Sequence, residues 1–125
     1  MKKYITGDLL HYKICNAKYL IEVTNTSKHG YCFKGVKDDF FNGVICDECI
    51  EDIPLTPEIL QKNGWKKDKD GYFNNSYHIR LCENNTNYAA YKVVNDSIVW
   101  LRAVENVPDL QHLLFGLDIS LKIEV

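Results

Sequence analysis

The stretch LTPEILQKNGW, residues 55–65, separates two parts of the chain and predicts a short helix between them. Thr56 can accept hydrogen bonds from the free amides of a helix start, and Pro57 has the φ angle of a first helical position. The pair Asn63-Gly64 favours a left-handed stop, so we expect a helix of about two turns. On both sides of this helix the sequence favours β-structure.

Short apolar segments separated by turn residues are typical of residues 1–55. We predict strands near residues 8–15, 19–24, 31–33 and 44–46. Residues 25–30 and the pair Asn42-Gly43 favour turns, and these turns separate the last three of the predicted strands. Four or five short strands in this length indicate a small barrel-like sheet.

The second part of the chain predicts a meander followed by a helix. Residues 65–74 read as a hairpin, the alternation in residues 77–82 is typical of a strand with one covered face, and residues 88–94 and 97–102 continue the sheet. Leucines at helical spacing predict a C-terminal helix over residues 108–117, and residues 119–124 alternate like an edge strand.

We therefore predict one domain over residues 1–125 with a β-rich α+β fold. In this interpretation residues 1–55 form the small barrel-like sheet, and residues 56–125 form a short helix, an antiparallel meander, a C-terminal helix and the edge strand. A chain of 125 residues is long enough to bury one hydrophobic core.

Charge and cysteine content narrow the functional classes. A formal net charge of −2 disfavours binding along duplex nucleic acid. The longest apolar runs, such as residues 98–101, are too short to span a bilayer, and no apolar run follows the two N-terminal lysines. Five cysteines, an odd number, fit reduced thiols, so we expect a cytoplasmic protein.

Three motifs resemble those of a known family. IPLTPEILQKNGW at residues 53–65 resembles the I-P-L-T-x-E-x-L-x-x-x-G-F element of small uncharacterised proteins of Bacteroidetes genomes and their phages and mobile elements. VPDLQHLLFGL at residues 107–117 looks like their V-H-x-L-Q-N-L-x-x-x-L helix, with Pro108 where that pattern usually has His. TGDLL at residues 6–10 resembles their R-x-G-N-x-V start.

This family has no assigned activity, so the resemblance implies only a setting. That setting is an accessory protein of a phage or integrated element in a gut bacterium. Such proteins often block host defence, either by sequestering a signalling nucleotide or by occluding a defence protein. This inference is an analogy from the genomic setting of the family, and it does not follow from any residue of the chain.

One metal pattern is present. The pair His29-x-x-Cys32 and the pair Cys46-x-x-Cys49 have spacings used in structural zinc sites, where zinc would cross-link two hairpins. The alternative is that the cysteines are small apolar residues buried in strands. We predict no cofactor and keep zinc as the alternative.

Catalytic signatures are not evident. The sequence has no glycine-rich phosphate loop, no GxSxG and no HExxH. The paired carboxylates at residues 38–39, 47–48 and 51–52 are adjacent, and adjacent strand residues point to opposite faces. The four histidines are scattered: His11, His29, His78 and His112. We assign no catalytic residue, and the sequence favours a binding protein over an enzyme.

Aromatic residues beside cations are the more suggestive feature. Eight Tyr, five Phe and two Trp are many for this length, and an aromatic ring beside a basic donor can stack a base and pair with its phosphate. The candidate ligand-binding residues are Trp65, Lys66, Tyr77, His78, Arg80, Tyr88, Tyr91 and Lys92. The alternative is that these aromatics are ordinary core residues, and we expect both Trp65 and Trp100 in the core.

Two functional hypotheses follow. The first is a non-catalytic, oligomeric binding protein of phage or mobile-element type that sequesters a small anionic ligand such as a defence-signalling nucleotide. The second is a protein-interaction module that inhibits or bridges a host protein by adding its terminal strand or docking the helix of residues 110–117. A zinc-stabilised adaptor is a third.

Overall fold

The structure, a computed structural model, describes residues 4–28, 30–38, 41–120 and 122–125. The chain divides into two compact units, Met1–Ile53 and Pro54–Val125. Two antiparallel sheets and two α-helices confirm the predicted α+β class. None of the helices in the described ranges has the length and apolar character needed to cross a membrane.

The first unit is a five-stranded antiparallel sheet with the order β4-β3-β2-β1-β5. Its elements are β1 (Leu9–Ile14), β2 (Ala17–Ser27), β3 (Gly30–Gly35), β4 (Asn42–Ile45), a 3-10 helix η1 (Asp47–Cys49) and β5 (Ile50–Asp52). Strands β4 and β5 lie at the two edges, and no pairing joins them among the described residues. The sheet is therefore not closed on itself by backbone pairing.

The core of the first unit follows the two-residue period of its strands. Ile21 and Val23 of β2 are fully buried, and Tyr31 and Phe33 of β3 are nearly so. The predicted turn at Asn42-Gly43 is wrong, because these residues lie in β4 opposite Lys34 and Phe33. Pairing with β3 overrides the local turn preference of the Asn-Gly pair.

The second unit contains a five-stranded meander with the order β10-β9-β8-β7-β6. Its elements are α1 (Pro57–Lys62), β6 (Lys66–Asp68), β7 (Gly71–Asn74), β8 (Ile79–Glu83), β9 (Tyr88–Val94), β10 (Ser97–Val104) and α2 (Val107–Gly116). Each strand pairs with the next along the chain, which is the arrangement predicted for this region.

Both helices begin at the side-chain caps that local chemistry favours. The Thr56 hydroxyl accepts a hydrogen bond from the Ile59 amide at 3.3 Å, which confirms the predicted start of α1. The Asn106 side chain accepts from the Asp109 amide at 2.9 Å at the start of α2. Leu110 and Leu114 then bury one face of α2.

The predicted edge strand over residues 119–124 is wrong, because no strand occurs at residues 119, 120 and 122–125. The Asn63 amide group donates to the Glu124 carbonyl at 2.7 Å, and its oxygen accepts from the Glu124 amide, also at 2.7 Å. One side chain thus supplies both hydrogen bonds that a neighbouring strand would have made. Ile123 is nevertheless buried, at 3% exposed, although its segment forms no strand.

Candidate functional site

A row of five side chains crosses the second sheet, one from each strand. Phe73 lies directly opposite both Lys66 and Arg80, and Tyr91 lies directly opposite both Arg80 and Trp100. Directly opposite residues in an antiparallel sheet project to the same face. We call these five residues, Lys66, Phe73, Arg80, Tyr91 and Trp100, the outer row.

The other face of the same sheet belongs to the core. Tyr72, Leu81 and Ala90 alternate with members of the outer row and are at most 1% exposed. Lys66 and Trp100, at the two ends of the row, are exposed, whereas the three residues between them are half-buried. The outer row is therefore the face of this sheet that carries accessible aromatic and basic groups.

Arg80, at the centre of the row, is held by two neighbours. Its Nη1 donates to Asp68 Oδ1 at 2.7 Å, and its guanidinium carbon lies 5.0 Å from the centroid of the Phe73 ring. The hydrogen bond to Asp68 raises the pKa of Arg80, against the opposing effect of burial. The guanidinium is thus fixed in orientation, and its charge is compensated.

The ion pair between Arg80 and Asp68 predicts a pH dependence of stability. Arg80 holds the pKa of the Asp68 carboxyl below its ordinary value, and the Asp70 amide adds to this effect. The stabilisation is therefore complete above the ordinary carboxyl pKa of about 4 and is lost as pH falls through the lowered folded value. We expect Asp68→Asn to flatten the stability profile below about pH 5 in urea titrations.

A matched control for that titration is Asp96→Asn. Asp96 is an exposed residue between β9 and β10, and it makes no ion pair within the described ranges. Its replacement should leave the acid limb of the profile as in the unmodified chain. Equal flattening by both changes would show that the Asp68 pair is not the cause.

Strand β10 forms an edge of the sheet and exposes large apolar side chains. Ile98 is 63%, Val99 50% and Trp100 60% exposed. Natural sheets protect their edges with short strands, charged residues, proline or bulges. Of the other edge strands, β4 has four residues, and β5 and β6 have three residues each and carry charges, whereas β10 has eight residues. Its charged residue Arg102 and the register shift between Trp100 and Arg102 both lie beyond the first half of the strand, so residues 97–100 lack this protection.

The structure brings three predicted ligand-binding residues together in the outer row and places the others elsewhere. Lys66, Arg80 and Tyr91 belong to the row. Trp65 is 1% exposed, so its predicted core position is confirmed and its side chain is not accessible to a ligand. Lys92 lies on the opposite face to Tyr91, and its ammonium donates to the Tyr77 carbonyl.

The remaining candidates lie beside the row or across the sheet from it. Tyr88 packs edge-on against Tyr72, with ring centroids 6.1 Å apart, and burial raises its pKa. Tyr77 and His78 lie between β7 and β8, outside the strand that their alternation predicted. His78 has a φ of +54° and lies 6.4 Å from the Phe73 ring, so it borders the row.

The sequence prediction for Trp100 is wrong, and Phe73 was not singled out. Trp100 lies on the edge strand and on the outer face, which leaves it exposed, although its residue type favours the core. Phe73 lies between the buried residues Tyr72 and Asn74, but the sequence GYFN does not alternate apolar with polar residues and so gave no signal for its outward position.

The predicted zinc ligands are only partly described. Cys46 Sγ and Cys49 Sγ lie 3.8 Å apart, whereas Cys32 lies in β3 opposite Val44. His29 lies outside the described residues. Within the described ranges no three His, Cys, Asp or Glu side chains are grouped as a metal site would require. Zinc binding stays a prediction.

Comparisons with known proteins give no family for this arrangement. No family model, curated protein or solved structure matches the chain.

Proposed function

We propose that this chain is a non-catalytic protein-interaction module that recognises its partner through the outer row and the edge of β10. The observation that carries the proposal is the exposure of Trp100, at 60%, beside two further exposed apolar residues on an unprotected edge strand. In the setting that the family resemblance implies, the partner is a host protein.

The chemistry of the outer row supports protein recognition. Residues that dominate the binding energy of protein interfaces are enriched in Trp, Tyr and Arg, and the row contains one of each. Burying Arg80 under a partner costs less than burying an unpaired cation, because Asp68 already compensates its charge. Phe73 and Tyr91 flank Arg80 across the sheet and supply rigid apolar area.

The edge of β10 supports one particular mode of binding. A partner strand can extend the sheet by pairing with the free backbone edge, so that main-chain hydrogen bonds supply affinity and alternate side chains supply specificity. Ile98 and Trp100 alternate on one face of β10, and that face carries the outer row. The second sequence hypothesis placed strand addition at residues 119–124, and we now assign it to β10.

The test begins with the full chain as bait in a lysate of the bacterial host. A retained protein is identified by mass spectrometry, purified, and titrated against the chain. We expect Trp100→Ala to weaken its binding by about 30-fold or more, as for a central interface residue. Amide hydrogen exchange should slow in residues 97–104 when the partner binds.

The matched control is Phe115→Ala. Phe115 is 74% exposed on α2, so it is an accessible aromatic residue outside the proposed surface. Its replacement should leave the affinity unchanged. Equal weakening by both variants, or exchange unchanged in β10, would contradict the proposal. Retention of the chain by itself would assign the β10 edge to a homo-oligomer.

Sequestration of a small nucleotide is the second candidate function. It is favoured by the aromatic rings of the row and by Lys66, an exposed cation without an ion pair in the described part of the chain. It is disfavoured because the other nearby cations are engaged: Arg80 with Asp68 and Lys67 with Glu83.

Calorimetry with cyclic dinucleotides and ADP-ribose separates the two functions. A nucleotide-binding protein should bind one of these compounds with a dissociation constant below the tens of micromolar range. Trp100→Ala should abolish that binding. Absence of binding across this panel, together with a stoichiometric protein partner, would favour the interaction module. Nucleotide binding without a protein partner would overturn it.

A further inference from the structure

Two cysteine side chains are in contact at the turn that joins β4 to β5. Cys46 precedes η1 and Cys49 ends it, and the Cys49 amide donates to the Cys46 carbonyl at 3.1 Å. Their sulfur atoms are 3.8 Å apart. Cys46 is exposed, whereas Cys49 is half-buried and packs against the core of the first unit.

We propose that Cys46 and Cys49 are a dithiol that closes into an intramolecular disulfide by exchange with a low-molecular-weight disulfide such as oxidised glutathione. This site lies in the first unit, whereas the recognition surface proposed above lies in the second. It assigns to the pair a reversible covalent modification, whereas the sequence offered zinc binding there only as the alternative to no cofactor.

The backbone of the turn already has the geometry that a disulfide requires. A hydrogen bond between residues three apart keeps their Cα atoms within about 7 Å, and disulfides join Cα atoms about 4.4–6.8 Å apart. The sulfur atoms must approach from 3.8 Å to a bond length of about 2.05 Å. Rotation of the exposed Cys46 side chain can supply that movement without displacing either strand.

The reaction balances in two exchange steps. The Cys46 sulfur loses its proton and attacks one sulfur of oxidised glutathione, whose S–S bond breaks and releases one glutathione thiolate. The Cys49 sulfur then loses its proton, attacks the Cys46 sulfur of the mixed disulfide, and releases the second glutathione. The two protons pass to the two glutathione thiolates. The protein dithiol is oxidised by two electrons, and one glutathione disulfide is reduced to two thiols.

Glu48 contacts the thiol that begins the exchange. Its carboxylate accepts a hydrogen bond from the Cys46 thiol, with 3.4 Å between Sγ and Oε2. The Cys46 thiol must give up this hydrogen bond when its sulfur loses the proton and attacks in the first exchange step.

The experiment treats the full chain with oxidised glutathione, blocks the remaining thiols with an alkylating agent, and maps the products by mass spectrometry. We expect two of the five thiols to disappear, with the loss of two hydrogens, no retained glutathione, and a linked peptide that contains both Cys46 and Cys49. Dithiothreitol should restore both thiols.

Two variants make the test specific. Cys46→Ser should leave Cys49 unlinked or carrying glutathione, whereas a chain with Cys15, Cys32 and Cys82 replaced by serine should close as the unmodified chain does. Persistent glutathione on Cys46 in the unmodified chain, or a link from either cysteine to Cys32, would overturn the proposal.

Discussion

Trp65→Ala is expected to lower the free energy of unfolding by about 3–5 kcal/mol. The side chain is 1% exposed and is among the largest fully buried groups in the chain. Its removal loses the burial of a large apolar surface and leaves a cavity that the surrounding residues can only partly fill. Urea unfolding followed by circular dichroism measures the change.

The comparison that makes this prediction sharp is between the two tryptophans. Trp100→Ala should change stability by no more than about 0.5 kcal/mol, because this side chain is 60% exposed. Trp65→Phe should cost much less than Trp65→Ala and keeps the test usable if the alanine variant does not fold. The Trp65 indole nitrogen has no hydrogen-bond partner among the described residues, so Trp65→Phe removes no such bond. Equal losses for the two alanine variants would refute the assigned burial.

Gly71→Ala is expected to destabilise the second unit by about 2–4 kcal/mol. Gly71 starts β7 with a φ of +124°, which disfavours any residue with a Cβ atom. An added Cβ would also lie 2.3 Å from the carbonyl oxygen of Leu81 in β8. Since that oxygen belongs to the backbone of a paired strand, it cannot move without disturbing the sheet.

The effect of Gly71→Ala should extend to the outer row. The β6–β7 hairpin carries Lys66 and Phe73, and Phe73 contacts the guanidinium of Arg80. We therefore expect faster amide exchange in residues 66–74 along with the lower unfolding free energy. An exchange pattern unchanged in this hairpin would contradict the explanation.

Gly116→Ala is the matched control. Gly116 is the last residue of α2, and nothing lies within 4 Å of an added Cβ. Alanine has the better helix propensity, so this change should stabilise the chain by about 0.5–1 kcal/mol. A stability loss at Gly71 within 0.5 kcal/mol of zero would show that the backbone there can adapt at small cost.

Local signals were sufficient where neighbouring residues decide the structure. The Thr56 cap and Pro57 placed the start of α1 correctly because capping involves atoms within one helical turn. Local signals failed where the structure of a segment depends on a partner that is distant in the sequence. Asn42-Gly43 looked like a turn and is a strand, because β3 pairs with it. Residues 119–124 alternate like a strand, but the Asn63 side chain makes the hydrogen bonds to the Glu124 backbone that a neighbouring strand would have made.

The residues of the candidate site were likewise predicted only in part. Lys66, Arg80 and Tyr91 were singled out by residue type, and the structure places all three in the outer row. Trp65 and Trp100 were both expected in the core, yet only Trp65 is there. The neighbours of each residue across the sheet depend on strand register, which the order of residues in one strand does not specify.

The sequence by itself determined the α+β class, the two helices and most of the strands, because these follow from caps, turn residues and periodicity along short segments. Only the tertiary structure decided that β10 is an unprotected edge and that Lys66, Phe73, Arg80, Tyr91 and Trp100 share one face. The physical reason is that register and strand order are set by pairing between segments that are distant in the chain, so the outer row exists only once all five strands are paired.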